Sequence, residues 1–276
     1  MHTLNCKGKI LALEKPVVMG ILNITPDSFH TGYLSQRPEA ILAVAAKMLE
    51  DGAAIIDIGG QSTRPGSRYL TAAEENERVL PVIEYLQQHL PEAIFSIDTF
   101  HSEVAKAAVD AGASIVNDIS SGDMDPQMIA VVAQLKVPYV CMHMQGTPAS
   151  MQQDPQYADV TREVLDYFIQ KTDTCRQAGI HDVIIDPGFG FGKTTEHNYT
   201  LLKNLAVFNM LERPVLAGLS RKSMINKVIG TEAAEALNGT TVLNTLALQN
   251  GAHILRVHDV KEACEAIALT EMYKRS

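Results

Sequence analysis

Apolar residues along the chain gather in short runs: VVMGIL (17–22), AIIDIG (54–59), IFSID (94–98), SIVNDI (114–119), PYVCMH (138–143), VIIDP (183–187), PVLAG (214–218) and ILRVH (254–258). None alternates strictly, the pattern of parallel strands covered on both faces. Between them lie helix-length segments, among them PEAILAVAAKMLEDG, TAAEENERVLPVIEYLQQ, SEVAKAAVDAG and ADVTREVLDYFIQKTDTCRQAG. Several close on a glycine, which stops a helix. Pro81, inside the second of them, is expected to kink or break it.

Eight β-then-α units in about 250 residues predict an α/β protein with the (β/α)8 TIM barrel fold. No linker or shift in composition divides residues 1–276, so one domain is expected. The competing fold, an open doubly wound sheet, would carry a glycine fingerprint after its first strand. That position reads NITPDSF. A barrel places its active site at the C-terminal ends of the strands. Polar residues stand at each of them: Asn23, Ser62-Thr63-Arg64, Asp98, Asn117 and Asp118, His143, Asp186, Ser220-Arg221-Lys222, and Arg256 with His258. Caps and turns account for a few such residues, whereas a full ring of them suits a large polar ligand across the barrel mouth.

Composition narrows the ligand. The net charge of −9 argues against nucleic acid or an anionic membrane as partner, so an anionic substrate must meet a local basic site. Cys6, Cys141, Cys175 and Cys264 include no Cys-x-x-Cys pair, which signals neither a disulfide framework nor a zinc ribbon. With no apolar signal core and no membrane-length run, a soluble, unprocessed, cytoplasmic protein is expected.

The stretch DPGFGFGKT, from Asp186 to Thr194, looks like a phosphate loop but fails the spacing. Counting back from Gly192, the first glycine of the pattern falls on Pro187, which has no N–H to offer. Asp98, Asp186 and Asn117 stand beside apolar strands, where a carboxylate needs a cation or several donors. A flat heterocycle with a 2-amino group beside a ring N–H, pterin or guanine-like, offers two parallel donors, and glycines after Asp186 let backbone approach it. Singly, Asp98 and Asp118 serve equally as caps or barrel-structural residues, and Asp186 as a turn former. Arg64, Arg221, Lys222, Arg256 and His258 form a cationic set suited to phosphate or pyrophosphate. His143 and Cys141 are two residues short of a zinc site. Met142, Met144 and Met151 suit packing.

The motifs MGILNITPDSF, DIGGQSTRPG, SIDTF, AGASIVNDIS, MHMQGTP, DPGFGFGK, GLSRKSMI and RVHDV together resemble the dihydropteroate synthase family, in order and spacing, over most of the chain. The resemblance implies joining of 6-hydroxymethyl-7,8-dihydropterin diphosphate to 4-aminobenzoate, with Mg²⁺ and a homodimer. Carried over by position, pterin-binding roles fall on Asp98, Asn117, Asp186 and Lys222, and diphosphate roles on Thr63, Arg64, Arg256 and His258. Asn23 becomes the magnesium ligand. Ser220, Arg221, Phe191 and Pro65 shape the aminobenzoate site, and Met142 and Gly218 complete the substrate-binding set. Asp98, Arg64, Lys222, Arg256 and His258 carry the catalytic roles. Two positions depart from the family: Gln61 where many members have Glu, and HTGY after Phe29 where Ser-Asp-Gly-Gly is common. Related pterin-binding methyltransferase barrels share the Asp/Asn/Asp set but need no diphosphate cluster, so STRPG, SRK and RVH speak for the synthase. A non-catalytic pterin-binding paralogue is the other alternative, against which every catalytic position is present.

Overall fold

All eight apolar runs are parallel strands in the computed structural model, which describes residues 2–24, 38–61, 68–148, 150–151 and 153–276. An antiparallel hairpin, β1 (His2–Cys6) and β2 (Lys9–Leu13), precedes them. The alternation then runs β3 (Val17–Asn23), α1 (Pro38–Glu50), β4 (Ile55–Gly59), α2 (Ala72–His89), β5 (Phe95–Asp98), α3 (Ser102–Ala111), β6 (Ile115–Asp118) and α4 (Met128–Leu135). It continues with β7 (Tyr139–Met142), α5 (Val160–Ala178), β8 (Val183–Asp186), α6 (Thr195–Lys203), β9 (Leu216–Ala217), α7 (Ser223–Ile229), α8 (Leu237–Gln249), β10 (Ile254–Val257) and α9 (Val260–Arg275). The sheet order is β8-β7-β6-β5-β4-β3-β10-β9. A parallel bridge from Ile185 to Val215 joins its ends, and the Ile185 N–H donates to the Pro214 carbonyl at 2.9 Å. The sheet is thereby a closed barrel.

Successive strand residues face opposite sides, and both sides here are apolar. Met19, Ile55, Ile94, Ile115, Val140, Ile184, Leu216 and Ile254 fill the barrel interior, one from each unit. Val18, Ile56, Phe95, Val116, Tyr139, Val183, Ala217 and Leu255 pack outward on the helices. Moving two or four residues up the inward row reaches Asn23, Asp57, Asp98, Asn117, Met142, Asp186, Gly218 and Arg256. The strand period therefore carries the apolar core of the barrel straight into its chemistry.

The hairpin closes the other end. Lys7 and Gly8, both at positive φ (53° and 92°), make its two-residue turn, a geometry that matches the twist of the paired strands. Leu4, Cys6 and Leu13 join the interior cluster, while Lys9 Nζ donates to the carbonyl of Ala93 at 3.0 Å and Asn5 N–H to Asp182 at 2.7 Å. These partners precede β5 and β8, which places the hairpin as a plug at the N-terminal mouth. The helix expected to break at Pro81 runs through it unbroken. Pro81 and Glu77, whose carbonyl the missing N–H would have bonded, lie on the exposed face where water can serve, and Val79, Val82, Ile83 and Leu86 hold the buried face in place.

Leu4→Ala should lower unfolding free energy by about 2–5 kcal/mol, the usual range for truncating a packed core leucine. Urea unfolding would measure it. Ligand affinity at the opposite mouth should stay unchanged.

Candidate active site

Arg256 is the hub of the C-terminal mouth. Its Nε donates to Asp57 Oδ2 at 2.7 Å and its Nη2 to Asp98 Oδ2 at 2.6 Å. Asn117 Nδ2 donates to the same Asp57 oxygen at 2.9 Å. Register explains the meeting: Asp98 pairs with Asn117 across β5 and β6, and Gly59, beside Asp98 on β4, leaves room at that level. Burial pushes the Asp98 carboxyl up to about 7, against the pull of Arg256. Arg256 itself is held above the usual arginine value, because Asp57 and Asp98 outweigh its burial.

A second half lies at the end of β8 and on the loops that follow β8 and β9. Asp186 Oδ1 accepts from Gly188 N–H at 2.8 Å, and burial raises its pKa against the opposing charge of Lys222. Lys222 Nζ donates to the Phe189 carbonyl and lies 4.8 Å from the centre of the Phe191 ring. Burial brings that lysine down to about 8, with Asp186 pulling the other way. A Cβ placed on Gly218 would make ordinary contact with Lys222 Nζ at 3.7 Å and Asp186 Oδ2 at 3.9 Å, which places both charges beside the end of β9. Met142 and Phe191 belong to an apolar cluster with Phe100 and Ile119 beside it. Carboxylates below an apolar wall suit a flat ring bearing N–H donors at its edge.

At the rim, the Ser220 hydroxyl accepts from His258 N–H at 3.2 Å and lies 3.0 Å from His258 Nδ1. Arg221 corrects the cationic set. Its Nε and Nη2 fork onto the Asp259 carboxylate at 2.9 and 2.7 Å, and Nη1 donates to the carbonyls of Ala233 and Ala234. These bonds tie the loop after β9 to Asp259 and to residues 233–234. Thr63, Arg64, Pro65 and Phe29 lie outside the described residues, as does the HTGY departure. Gln61 donates to the Arg68 carbonyl at 3.2 Å and accepts from Leu70 N–H at 2.8 Å, a pair of roles that a carboxylate could not fill.

For a metal, no group of three or more His, Cys, Asp or Glu is assembled among the described residues. Asn23 supplies one amide oxygen: a Cβ on Gly59 would lie 3.5 Å from Asn23 Oδ1 and 3.7 Å from Asp98 Oδ2. One or two hard oxygens, completed by water and substrate phosphate, are what Mg²⁺ commonly takes, so the residues fit it. His143 and Cys141 make no zinc site, since Cys141 packs 3.7 Å from Cys175 and His143 faces Lys193. Asp118 proves structural, accepting from Tyr139 OH, Ser120 and the Gly122 N–H.

Asp57 and Glu75 were not among the expected site residues. Asp57 is signalled only as a carboxylate inside an all-apolar strand, where it must find a cation. Glu75, fully buried on α2, accepts from Thr99 at 3.0 Å through Oε2, while its Oε1 has no partner. Its helix presses on Gly60, where a Cβ would come within 2.7 Å of Val79.

A family model described as pterin binding enzyme matches residues 19–258. The chain is 45% identical to the dihydropteroate synthase of Escherichia coli K12 over 267 residues, 96% of this chain and 94% of that one. Among solved structures, Yersinia pestis dihydropteroate synthase with a sulfonamide drug complex superposes with a TM-score of 0.94 at 40% identity, covering both chains fully. Dihydropteroate synthase from Xanthomonas albilineans in complex with 7,8-dihydropteroate gives a TM-score of 0.90 at 40% identity, again over both whole chains.

Burial pushes Glu75 up from 4.5 to about 7. A raised carboxyl favours folding while protonated, so its contribution is complete below pH 4.5 and is lost as pH rises through about 7. Glu75→Gln should therefore stabilise the protein at pH 8 by on the order of 2–3 kcal/mol and change little at pH 5. Urea midpoints at the two pH values would show it, and an equal shift at both would contradict it.

Proposed function

The chain belongs to the dihydropteroate synthase family of pterin-binding enzymes, and we propose that it joins 6-hydroxymethyl-7,8-dihydropterin diphosphate to 4-aminobenzoate, releasing pyrophosphate. One observation carries this reading: Asp98, Asn117, Asp186 and Lys222 converge on the inner face of one barrel mouth, with Arg256 among them and His258 at the rim. Asp186 and Asn117 receive the edge of the pterin. Phe191 and Met142 cover its face.

The bond from the pterin methylene carbon to the diphosphate oxygen breaks first, because the electron-rich dihydropterin can delocalise the resulting positive charge. Asp98 faces that charge, and a cation beside it draws its raised pKa back down, so the carboxylate is stabilised as the pterin cation forms. Arg256, through its Nη1, and His258 hold the departing pyrophosphate. The neutral arylamine then attacks the carbon through its lone pair, and the acidic arylammonium nitrogen so formed gives its extra proton to water, so no strong general base is required. Mg²⁺, held by Asn23 and diphosphate oxygens, would neutralise leaving-group charge. Pyrophosphate release that depends on both substrates tests the assignment.

Arg256 serves both halves of this site, since its ion pairs hold Asp57 and Asp98. Asp186→Ala is the cleaner probe. It should weaken binding of a non-reactive pterin by about 2–4 kcal/mol, because two ring donors lose their acceptor in a buried pocket. Calorimetry would measure it. An unchanged dissociation constant in a folded variant would return Asp186 to the role of a turn residue.

We further propose a homodimer in the cytoplasm, for which the four cysteines, all free, are suited. Neighbouring helices α7, α8 and α9 expose Val228, Ile229, Val242, Leu246, Leu269, Met272 and Tyr273, an apolar set of the kind that marks an association surface. Leu269→Glu should shift the protein from dimer to monomer in sedimentation.

A further inference from the structure

The Gly-Lys-Thr of DPGFGFGKT has no part in the chemistry above, yet its lysine is among the most enclosed charged groups in the protein. Lys193 is 3% exposed. Its Nζ lies 2.9 Å from the Phe191 carbonyl, 3.0 Å from the Gly188 carbonyl, 2.9 Å from His143 Nδ1 and 3.2 Å from the His143 carbonyl. An ammonium has three protons, which the three shorter contacts absorb. Burial, with Lys193 beside it, pushes His143 down to about 2, so its ring is neutral and Nδ1 is able to accept. Burial also draws Lys193 well below the usual lysine value, against Asp186.

The groups that Lys193 ties down are the ones that shape the pterin pocket. Gly188 donates its N–H to Asp186. Phe189, the next residue, accepts from Lys222, and Phe191 lays its ring against that lysine. The loop is pressed on the segment after β7 so closely that a Cβ on Gly188 would come within 1.9 Å of the His143 carbonyl, and one on Gly192 within 2.4 Å of the Gln145 carbonyl. Tyr157 OH closes the far side on the Gly192 carbonyl at 2.8 Å. Backbone contact without side chains is shape only. Beside the His143 N–H bond to the Asp186 carbonyl at 3.0 Å, Lys193 adds the side-chain bonds that tie the loop carbonyls to the His143 ring.

We propose that Lys193 is a positioning residue for the pterin half of the site, acting through His143 and the Gly188 and Phe191 carbonyls to hold Asp186 and Lys222 in register with the ring. This rests on the reading of that half as a pterin pocket. The diphosphate donor Arg256, on β10, hydrogen-bonds Asp57 and Asp98, whereas the contacts of Lys193 Nζ fall on His143, Gly188 and Phe191.

Lys193→Met keeps the stem and removes the donors. Calorimetry on the full chain with 6-hydroxymethylpterin should show at least about tenfold weaker binding, while pyrophosphate with Mg²⁺ binds within about twofold of the unaltered chain. His143→Leu, which removes the Nδ1 acceptor, should reproduce the selective loss. His143→Asn, which returns an acceptor at that reach, should restore pterin affinity. Pterin affinity unchanged in Lys193→Met overturns the proposal, as does an equal loss for both ligands. Should Lys193→Met not fold, equal pterin affinity in the two His143 variants overturns it. Failure of the unaltered chain to bind pterin overturns the pocket assignment itself, and shows before any substitution is made.

Discussion

A carboxylate taken out of water must find positive charge, and three of them share one end of this barrel. Asp57, Asp98 and Asp186 project from β4, β5 and β8 into a space floored by aliphatic residues. Arg256 answers the first two with one guanidinium, and Lys222 faces the third. Breaking such a buried pair from one side costs about 3–5 kcal/mol, because the survivor stays buried and unpaired. The network is thus self-enforcing: each charge is tolerable only while the others hold position. Orientation of the ligand-binding groups follows from that mutual dependence more than from any single hydrogen bond.

Much of this was legible in the sequence, since a parallel barrel converts strand period into depth. From Ile115 to Asn117, from Ile184 to Asp186 and from Ile254 to Arg256, two residues take the chain from interior packing to the mouth. Recognising eight apolar runs was enough to place most of the site. The failures share a cause. Asp57 sits one level below its strand end, inside a run whose apolarity hid it. Arg221 stands with the other cations in sequence, but at φ 55° it is the third residue of the turn from Leu219 to Lys222, and its side chain reaches Asp259. Whether a strand-end cation faces inward depends on loop conformation, which strand periodicity does not encode. The hairpin has no signature along a single run, because the first residues alternate only as a pair of strands around Lys7 and Gly8.

The glycine loop shows how a familiar motif can mislead through composition and inform through geometry. A phosphate loop uses glycines so that N–H groups can converge on an anion. Here Gly188 and Gly192 take positive φ so that two loops can touch along their backbones, with His143 and Gln145 on the other side. The same residue supplies two different freedoms, and only the surroundings tell which is in use. The lysine that would reach a phosphate instead bonds the carbonyls of its own loop.

The chain carries a net charge of −9 and places three carboxylates in the pocket, so a diphosphate faces repulsion unless charge is separated by depth. β10 provides the separation. Ile254 packs in the interior, Arg256 lies one level above it among the carboxylates, and His258 stands exposed at the rim. On the reading proposed above, a diphosphate would meet the outer donor first and the guanidinium next, while the pterin edge, rich in N–H, would descend to the acids. One strand thereby grades the mouth from donor to acceptor. That gradient favours one orientation for a substrate that is anionic at one end and proton-donating at the other.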